Sequence, residues 1–424
     1  MSTPVWRDRG FALLWGGQTV SEVGSQVTTL ALPTLAIFTF HAGPAAVGLL
    51  IASNRVPFPV LGLFAGAIVD RVRKRPLMIG CSLARLLVVG AIPVLAATST
   101  LQLWELFVAA LGVGIFTVFF DIAYQAYVPA LVRPDQLVEA NSRLEVTYSG
   151  AALVGPGLGG LLIQAVGAVR AVLVDALSFL VSAATLLAIH RPEEPATAQN
   201  RRHLLREVGE GLRHVFGSPV LRAQLLCMSA AGLFAHMFEA PLYVFAYSRL
   251  HLSPGLLGAI LASEGLGMVV GTTLAMRITT RFGVGHVVAT AGGVTSALVA
   301  LIPLAVFVPP VALLLPLFIV SGGFSTVGDI AQVSLRQSLS PLRLQGRMTS
   351  VFRTFFWGVW PIGNLLGGVL AAAIGASTTL WLAGVLGLAA YLSIIFTPLW
   401  RVRGFGSASR GRDAPHEAPT AMTR

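Results

Sequence analysis

Apolar runs of twenty residues or more follow one another along most of the chain, broken by short stretches of charge, glycine and proline. A helix needs about 20 mostly apolar residues to cross the hydrocarbon core of a bilayer. The pattern therefore predicts twelve spans, at about 11–40, 46–69, 76–97, 101–127, 144–166, 169–190, 222–247, 254–276, 285–307, 310–333, 353–374 and 378–400. The runs are far longer than the alternating strands of about ten residues that build an outer-membrane barrel. Backbone groups in lipid must be satisfied within their own segment, so helices are expected. The expected fold class is an all-α polytopic membrane protein. The first run continues to Phe40 with no small-residue cleavage site behind a short core, so it reads as a span and not as a signal peptide.

The longest polar stretch, 191–221, follows the sixth run. Within it Leu204, Leu205, Val208, Leu212, Val215 and Phe216 recur at helical spacing with charges opposite. That predicts an amphipathic cytoplasmic helix lying on the membrane surface, stopped by Gly217, Ser218 and Pro219. Residues 401–424, rich in Arg, Ser, Gly and Pro, are expected to be a disordered tail. The chain thus divides into a six-helix bundle at 1–190, a linker at 191–221, a second six-helix bundle at 222–400 and the tail. The halves also echo one another. "DIAYQAYVPALVRP" from Asp121 matches "DIAQVSLRQSLSP" from Asp329 at an offset of 208, and Gly159-Gly160 matches Gly367-Gly368 at the same offset. Six spans plus six with a shared pattern is a transporter architecture.

Composition agrees, with 55% hydrophobic and 11% charged residues, against about 25% charged in a soluble domain. Charge then orients the spans. Of 28 arginines and one lysine, 25 fall in the two tails, the linker and the loops on the same side, while only Arg170 and Arg249 fall on the other. Arg55 and Arg85 lie within spans. The positive-inside rule puts both termini in the cytoplasm of a multi-pass protein of the cytoplasmic (inner) membrane. The net charge of +11 is a topology signal, and no nucleic-acid partner is expected. Cys81 and Cys227 lie in apolar spans, so neither a disulfide nor a metal site is expected.

Three stretches carry chemistry. "GPGLGG" contains GxGxxG at Gly155, Gly157 and Gly160, the spacing of a dinucleotide fingerprint, but that site needs a strand before it and a helix start after it. Here the glycines lie inside an apolar helix with Pro156 between the first two. They read as a thin, bendable face on which another helix approaches closely. "GAIVDRVRKR" resembles the loop signature of the major facilitator superfamily at Gly66, Asp70, Arg71, Lys74 and Arg75, with Arg73 where a glycine is usual. The second half keeps only "TRFGVGH", with Arg281 and Gly283 and no acid. "GAALVGPGLGG" resembles that superfamily's antiporter signature at Gly150, Gly155, Pro156, Gly159 and Gly160. "FFDIAYQAYVPALV", "DQLVEANS" and "DALSF" are similar to the efflux branch that includes macrolide and siderophore exporters. The arginine found in the fourth span of many drug:proton antiporters is absent from "LFVAALGVGIFTVFF".

The resemblance implies two pseudo-symmetric six-helix bundles, with spans 1, 4, 7 and 10 lining a central cavity. It also implies that Asp70 bridges the halves at the cytoplasmic gate, against the start of the eleventh span, and accepts bonds from nearby arginines. Each cavity span carries an acid inside its apolar run: Glu22, Asp121, Glu239 and Asp329. An ionisable residue within a span is a functional candidate by default. Glu22 lies near the midplane and is the leading proton carrier. Asp121 and Asp329, at matching depths, read as gate residues with Arg133, Arg336 or neighbours. His236 and Glu239, three apart, form either a proton relay or a satisfied hydrogen-bonded pair. Glu264 is mid-depth, Arg55 is expected to neutralise Glu22 or another acid, and Asp175 reads as structural. Phe234, Phe238, Tyr243, Trp357 and Trp360 form either an apolar substrate wall or ordinary packing.

The function expected is a monomeric exporter of an amphiphilic small molecule, working by alternating access, driven by the proton gradient and needing no cofactor. A proton-coupled importer or facilitator is the alternative. The chain has no HExxH, no paired Asp-rich motifs and no Ser/His/Asp arrangement in register, so an enzyme is not expected. A non-transporting sensor would not need the cavity acids.

Overall fold

The computed structural model describes residues 4–191, 193 and 204–402. The first half is built from α1 (Arg9–Phe40), α2 (Pro44–Arg55), α3 (Pro57–Val69), α4 (Lys74–Ala97), α5 (Leu103–Leu131), α6 (Leu137–Val166) and α7 (Ala168–Leu187). After α8 (Leu204–Gly217), the second half comprises α9 (Pro219–Met237), α10 (Glu239–Ser248), α11 (Pro254–Phe282), α12 (Val284–Leu301), α13 (Pro310–Leu339), α14 (Leu342–Ile374) and α15 (Ala376–Leu392). Twelve segments are long and apolar enough to span a membrane, because α2 with α3, and α9 with α10, each form one broken span.

Local chemistry explains where helices start and bend. Asp8 caps α1 by accepting from the Gly10 and Phe11 amides, and Ser253 caps α11 ahead of Pro254. Glycines at φ +83, +84 and +88 (Gly167, Gly283 and Gly375) make the one-residue turns before α7, α12 and α15, a region that suits a residue without Cβ. Arg73, which stands opposite Gly283 in the repeat, has φ −66. The first half therefore uses a longer turn, 70–73, at that place. Pro57 and Pro59 interrupt the second span, and Pro241 leaves the Met237 carbonyl without its helical partner.

Four expected boundaries move outward. The fifth span begins at Leu137 and not near 144, the eighth continues to Phe282 and not to 276, the tenth continues to Leu339 and not to 333, and the eleventh begins at Leu342 and not near 353. The added turns carry Glu139, Arg143, Arg277, Arg281, Arg336, Arg343 and Arg347. Hydropathy marks where lipid ends, whereas the hydrogen-bond ladder continues into water wherever polar residues with adequate helix propensity follow.

The helix α8 packs on the start of α14, a partner the spacing of its apolar residues does not show. Val215 is fully buried with Leu221, Leu225, Met348, Val351 and Phe352, with Leu212 alongside, and Phe216 meets Phe355 edge-on. Glu210 pairs with Arg347, and His214 hydrogen-bonds Ser340. An apolar face gains as much from a protein groove as from acyl chains, and the groove adds these polar partners. The side chains of Leu204, Leu205 and Val208 lie outside the described residues, as does the tail from 403 onward. Val402 is buried, and its carbonyl accepts from the Gly285 amide.

Both described termini lie at one end of the bundle, here the terminal end, and the opposite end is the far end. The apolar core is shared across the halves only toward the far end. There Leu30, Leu35 and Leu50 belong to the same cluster as Phe245, Leu257 and Leu314. Toward the terminal end the core splits into one cluster around Phe11, Met78 and Phe120 and another around Val284, Leu335 and Leu399. The halves are joined at the far end and part toward the terminal end.

Candidate functional site

In the first half four charged residues share one layer. Glu22, Arg85, Asp121 and Asp175 each stand ten to thirteen residues in from the terminal end of α1, α4, α5 and α7. Arg85 is 3% exposed. Its guanidinium lies 4.3 Å from the Phe120 ring centre and 4.5 Å from that of Phe179, within electrostatic range of Asp121, Asp175 and Glu22. Cation–π contact of this kind is strongest where water is excluded. Gln18 donates to Glu22 at 2.6 Å. Asp175 accepts from Ser178 at 3.1 Å and Ser25 at 3.5 Å, and Gly24 lets its carboxylate approach α1. Asp175, 1% exposed, is thus a deeply buried member of this layer. Arg85 Nε and Asp175 Oδ2 are buried without a hydrogen-bond partner among the described residues.

A second cluster bridges the halves. His236 Nδ1 and Glu239 Oε1 are 2.5 Å apart, on either side of the break between α9 and α10. The His236 ring lies 4.2 Å from the Trp360 ring, and the Arg55 guanidinium sits 5.3 Å from that same indole. Arg55 therefore faces Glu239 and not Glu22. Rotation of α2 about its axis, which sequence spacing does not report, decides that choice. Phe58 meets Trp357 edge-on across the halves at 5.7 Å, and Asn364, 1% exposed, lies beside Glu239. Glu264 on α11 is in electrostatic range of the same carboxylate.

The expected aromatic wall divides. Trp357 and Trp360 line the bridging cluster with Phe58 and Phe356. Phe238 and Tyr243 pack on the far-end core, and the Phe234 Cβ faces α15 at Gly387. The gate acids divide too. Asp329 has Arg336 in range, whereas Arg133 pairs with Asp135 at 3.2 Å and leaves Asp121 to Arg85, with Arg353 further off.

The far end is closed by backbone contact. A Cβ on Gly160 would stand 2.4 Å from the Pro254 carbonyl and 2.9 Å from the Gly258 Cα. A Cβ on Gly368 would stand 2.7 Å from the Pro44 carbonyl and 2.9 Å from the Gly48 Cα. These are the same crossing made twice, α6 on α11 and α14 on α2. Gly155 and Gly159 instead fit α6 onto α1 at Gln26 and Val27, and Gly150 meets nothing within 4 Å. Two polar latches accompany the crossings. Thr34 and Tyr247 share a hydrogen bond of 2.8 Å, and Gln164 accepts from Ser253 and the Gly255 amide at 3.0 and 3.1 Å.

At the terminal end the loop signature is tied within its own half. Arg75 donates to the Leu186 and Leu187 carbonyls, each at 2.8 Å, capping α7. Glu193 accepts from the Lys74 and Arg75 amides at the start of α4. Asp70 is exposed, and among the described residues it meets no arginine. A Cβ on Gly66 would meet nothing within 4 Å, and Arg71 makes no ion pair or side-chain hydrogen bond among the described residues. The cause is geometric, since the halves are apart at that end.

Sequence reasoning missed Arg85 as the centre of a layer, and it missed Phe58, Asn364, Gln164 and Tyr247. The intramembrane arginine was legible as a charge, but its partners lie on three other helices. The whole arrangement is two bundles joined at one end, with ionisable groups on their helices and aromatic side chains across their seam.

Comparison with known proteins agrees with this architecture. The family described as transmembrane secretion effector matches residues 3–420. The multidrug efflux pump Tap of Mycolicibacterium fortuitum is 30% identical over 87% of this chain and 90% of that protein. The uncharacterized MFS-type transporter YfiS of Bacillus subtilis (strain 168) is 26% identical over 91% of this chain and 93% of its own length. The solved structure of a bacterial homologue of the iron transporter ferroportin, in an inward-facing state, superposes with a TM-score of 0.73 at 15% identity, covering 92% of this chain and 98% of that one.

Proposed function

Because the chain belongs to the transmembrane secretion effector family of major facilitator transporters, we propose that it exports an amphiphilic small molecule from the cytoplasm by proton-coupled alternating access. The observation that carries this reading is the one-sided joining of the halves: a shared core and two glycine crossings at the far end, separate cores at the terminal end. With arginine concentrated at the terminal end, the positive-inside rule makes that end cytoplasmic, so the cavity is open inward. Rocking the bundles would break the far-end crossings and close the terminal end, exposing the same cavity outside.

Glu22 is the first proton carrier in this scheme. Its carboxylate is partly exposed, held by Gln18 and shares a layer with Arg85. Adding a proton changes the charge balance of that layer, and with it the relative free energies of the two access states. The His236–Glu239 pair is the second carrier, facing Arg55 across the seam. The aromatic side chains of Phe58, Trp357 and Trp360 supply a wall that tolerates varied apolar surfaces. Relatives that are efflux pumps favour export over the importer alternative.

The deciding experiment uses the purified protein in proteoliposomes with an imposed pH gradient and a panel of amphiphilic dyes. Export of at least one dye should depend on the gradient, and Glu22→Gln should abolish substrate-coupled proton flux. Undiminished proton flux in that variant would remove Glu22 from the role.

A further inference from the structure

Among the described residues two arginines lie at the far end, and each lines a groove. The larger groove, about 770 Å³, runs between the ends of α1 and α4 and the turn from α6 into α7, with Pro254 of the other half at its rim. Leu35, Phe38, Ile163 and Val166 make its walls apolar, and Arg170 is its one charged residue. The smaller, about 250 Å³, lies between the end of α10 and the turn from α14 into α15, with Pro44 of the first half at its rim and Arg249 as its one charge. The repeat relates the two. Gly167 and Gly375 make the same turn, and Pro254 and Pro44 are the rims of the two glycine crossings.

Arg170 is exposed and makes no ion pair or side-chain hydrogen bond among the described residues. An arginine on the side of the chain that is otherwise almost free of cations runs against the usual charge bias. In the larger groove it has no acid to pair with and a long apolar trough beside it, of a volume that ordinary ligand sites have. The first turn of α7, whose N-cap offers no side chain to the amides, adds to the positive character of that corner. An ion alone would satisfy the arginine and leave the apolar walls wet. A neutral chain would fill the walls and leave the arginine unmatched.

We propose that the larger groove binds an anionic phospholipid, headgroup on Arg170 and acyl chain along the exposed Phe38, Ala97 and Val166, and that this lipid holds the far end closed. The closing action follows from what the groove touches. Thr34 and Gln164, the two polar latches, are both part of its wall, and so is Pro254 from the opposite half. A lipid seated there contacts both halves only while the far end is shut. The smaller groove, lined by Ser248, Ser377 and Thr378 beside Arg249, has room for a headgroup without its chain.

The test requires neither substrate nor a proton gradient, so its outcome is independent of the transport reading. Spin labels at Thr98 and Phe307, exposed far-end positions in opposite halves, report far-end separation once Cys81 and Cys227 are replaced by serine. In nanodiscs, exchanging phosphatidylcholine for phosphatidylglycerol should raise the closed-to-open ratio by about fivefold, the effect expected of one arginine at an anionic surface. Arg170→Gln should remove most of that response, and Arg170→Lys should keep it. Ala97→Trp, which fills the trough without changing charge, should also remove it, and it serves as the second variant if Arg170→Gln inserts poorly. Soluble glycerophosphoglycerol should have no effect. An unchanged lipid response in Arg170→Gln or Ala97→Trp, no response in the parent protein, or full reproduction by the soluble headgroup would each overturn the proposal.

Discussion

Gly160 of α6 and Gly258 of α11 meet backbone to backbone, and Gly368 of α14 and Gly48 of α2 repeat the meeting across the other seam. Neither crossing has room for a Cβ. Close approach of this kind lets the halves touch over a wide area of packed backbone, where dispersion contacts accumulate.

The first prediction follows from that geometry. Gly160→Ala places a methyl group against the Pro254 carbonyl and Gly258, and overpacking of this kind costs roughly 1–3 kcal/mol. Since the strain is relieved when the seam opens, the far-end-open population should rise by about tenfold in spin-label distance measurements. Gly150→Ala, at a glycine with open space around it, should leave the distribution unchanged.

The Thr34–Tyr247 bond should be measurable as coupling. Thr34 is 2% and Tyr247 6% exposed, so the bond is shielded from water and worth about 1 kcal/mol. A double-mutant cycle of Thr34→Val and Tyr247→Phe, read by the same distances, should show that coupling in the far-end-closed state. Additive effects of the two changes would show that the bond contributes nothing to closure.

Arg85 is the only guanidinium within the buried layer of the first half, which also holds three acids. Arg85→Met should lower the thermal unfolding midpoint in detergent markedly, because removing one partner of a buried charge set typically costs about 3–5 kcal/mol. Adding Asp175→Asn in the same chain should restore part of the loss. If Arg85→Met alone unfolds at the parent temperature, the layer is not electrostatically balanced by Arg85.

Arg75 and Asp70, five residues apart in the loop signature, should behave differently. Arg75→Gln loses two bonds to the end of α7 and should destabilise the protein by roughly 1 kcal/mol in either access state. Asp70→Asn should change stability here by less than about 0.5 kcal/mol, as exposed substitutions do. It should still reduce the terminal-end-closed population, because the arginines the resemblance assigns to Asp70 come within reach only when that end shuts. Spin labels across the terminal end, with and without substrate dye, would separate the two effects.

The division between what was legible and what was not runs along the range of each interaction. Twelve spans, the repeat that relates Asp121 to Asp329, the small-residue face at 155–160 and the arginine bias were all readable, because each depends on composition within a turn or a span. The sequence also showed that charges such as Arg55 and Arg85 lie inside spans. Only the tertiary structure decided that Arg55 faces Glu239 across the seam while Arg85 serves Asp121 and Asp175. It likewise assigned Gly155 and Gly159 to α1 and Gly160 to α11, and set α8 on α14. Those outcomes depend on how each helix is rotated about its axis and on which neighbour it meets, and a residue's own segment carries no record of either. The state of the two ends is the least local of all. The same chain must close at either end with nearly equal free energy if it is to alternate, so no stretch of sequence can favour one end strongly, and the packing of whole bundles decides which is shut.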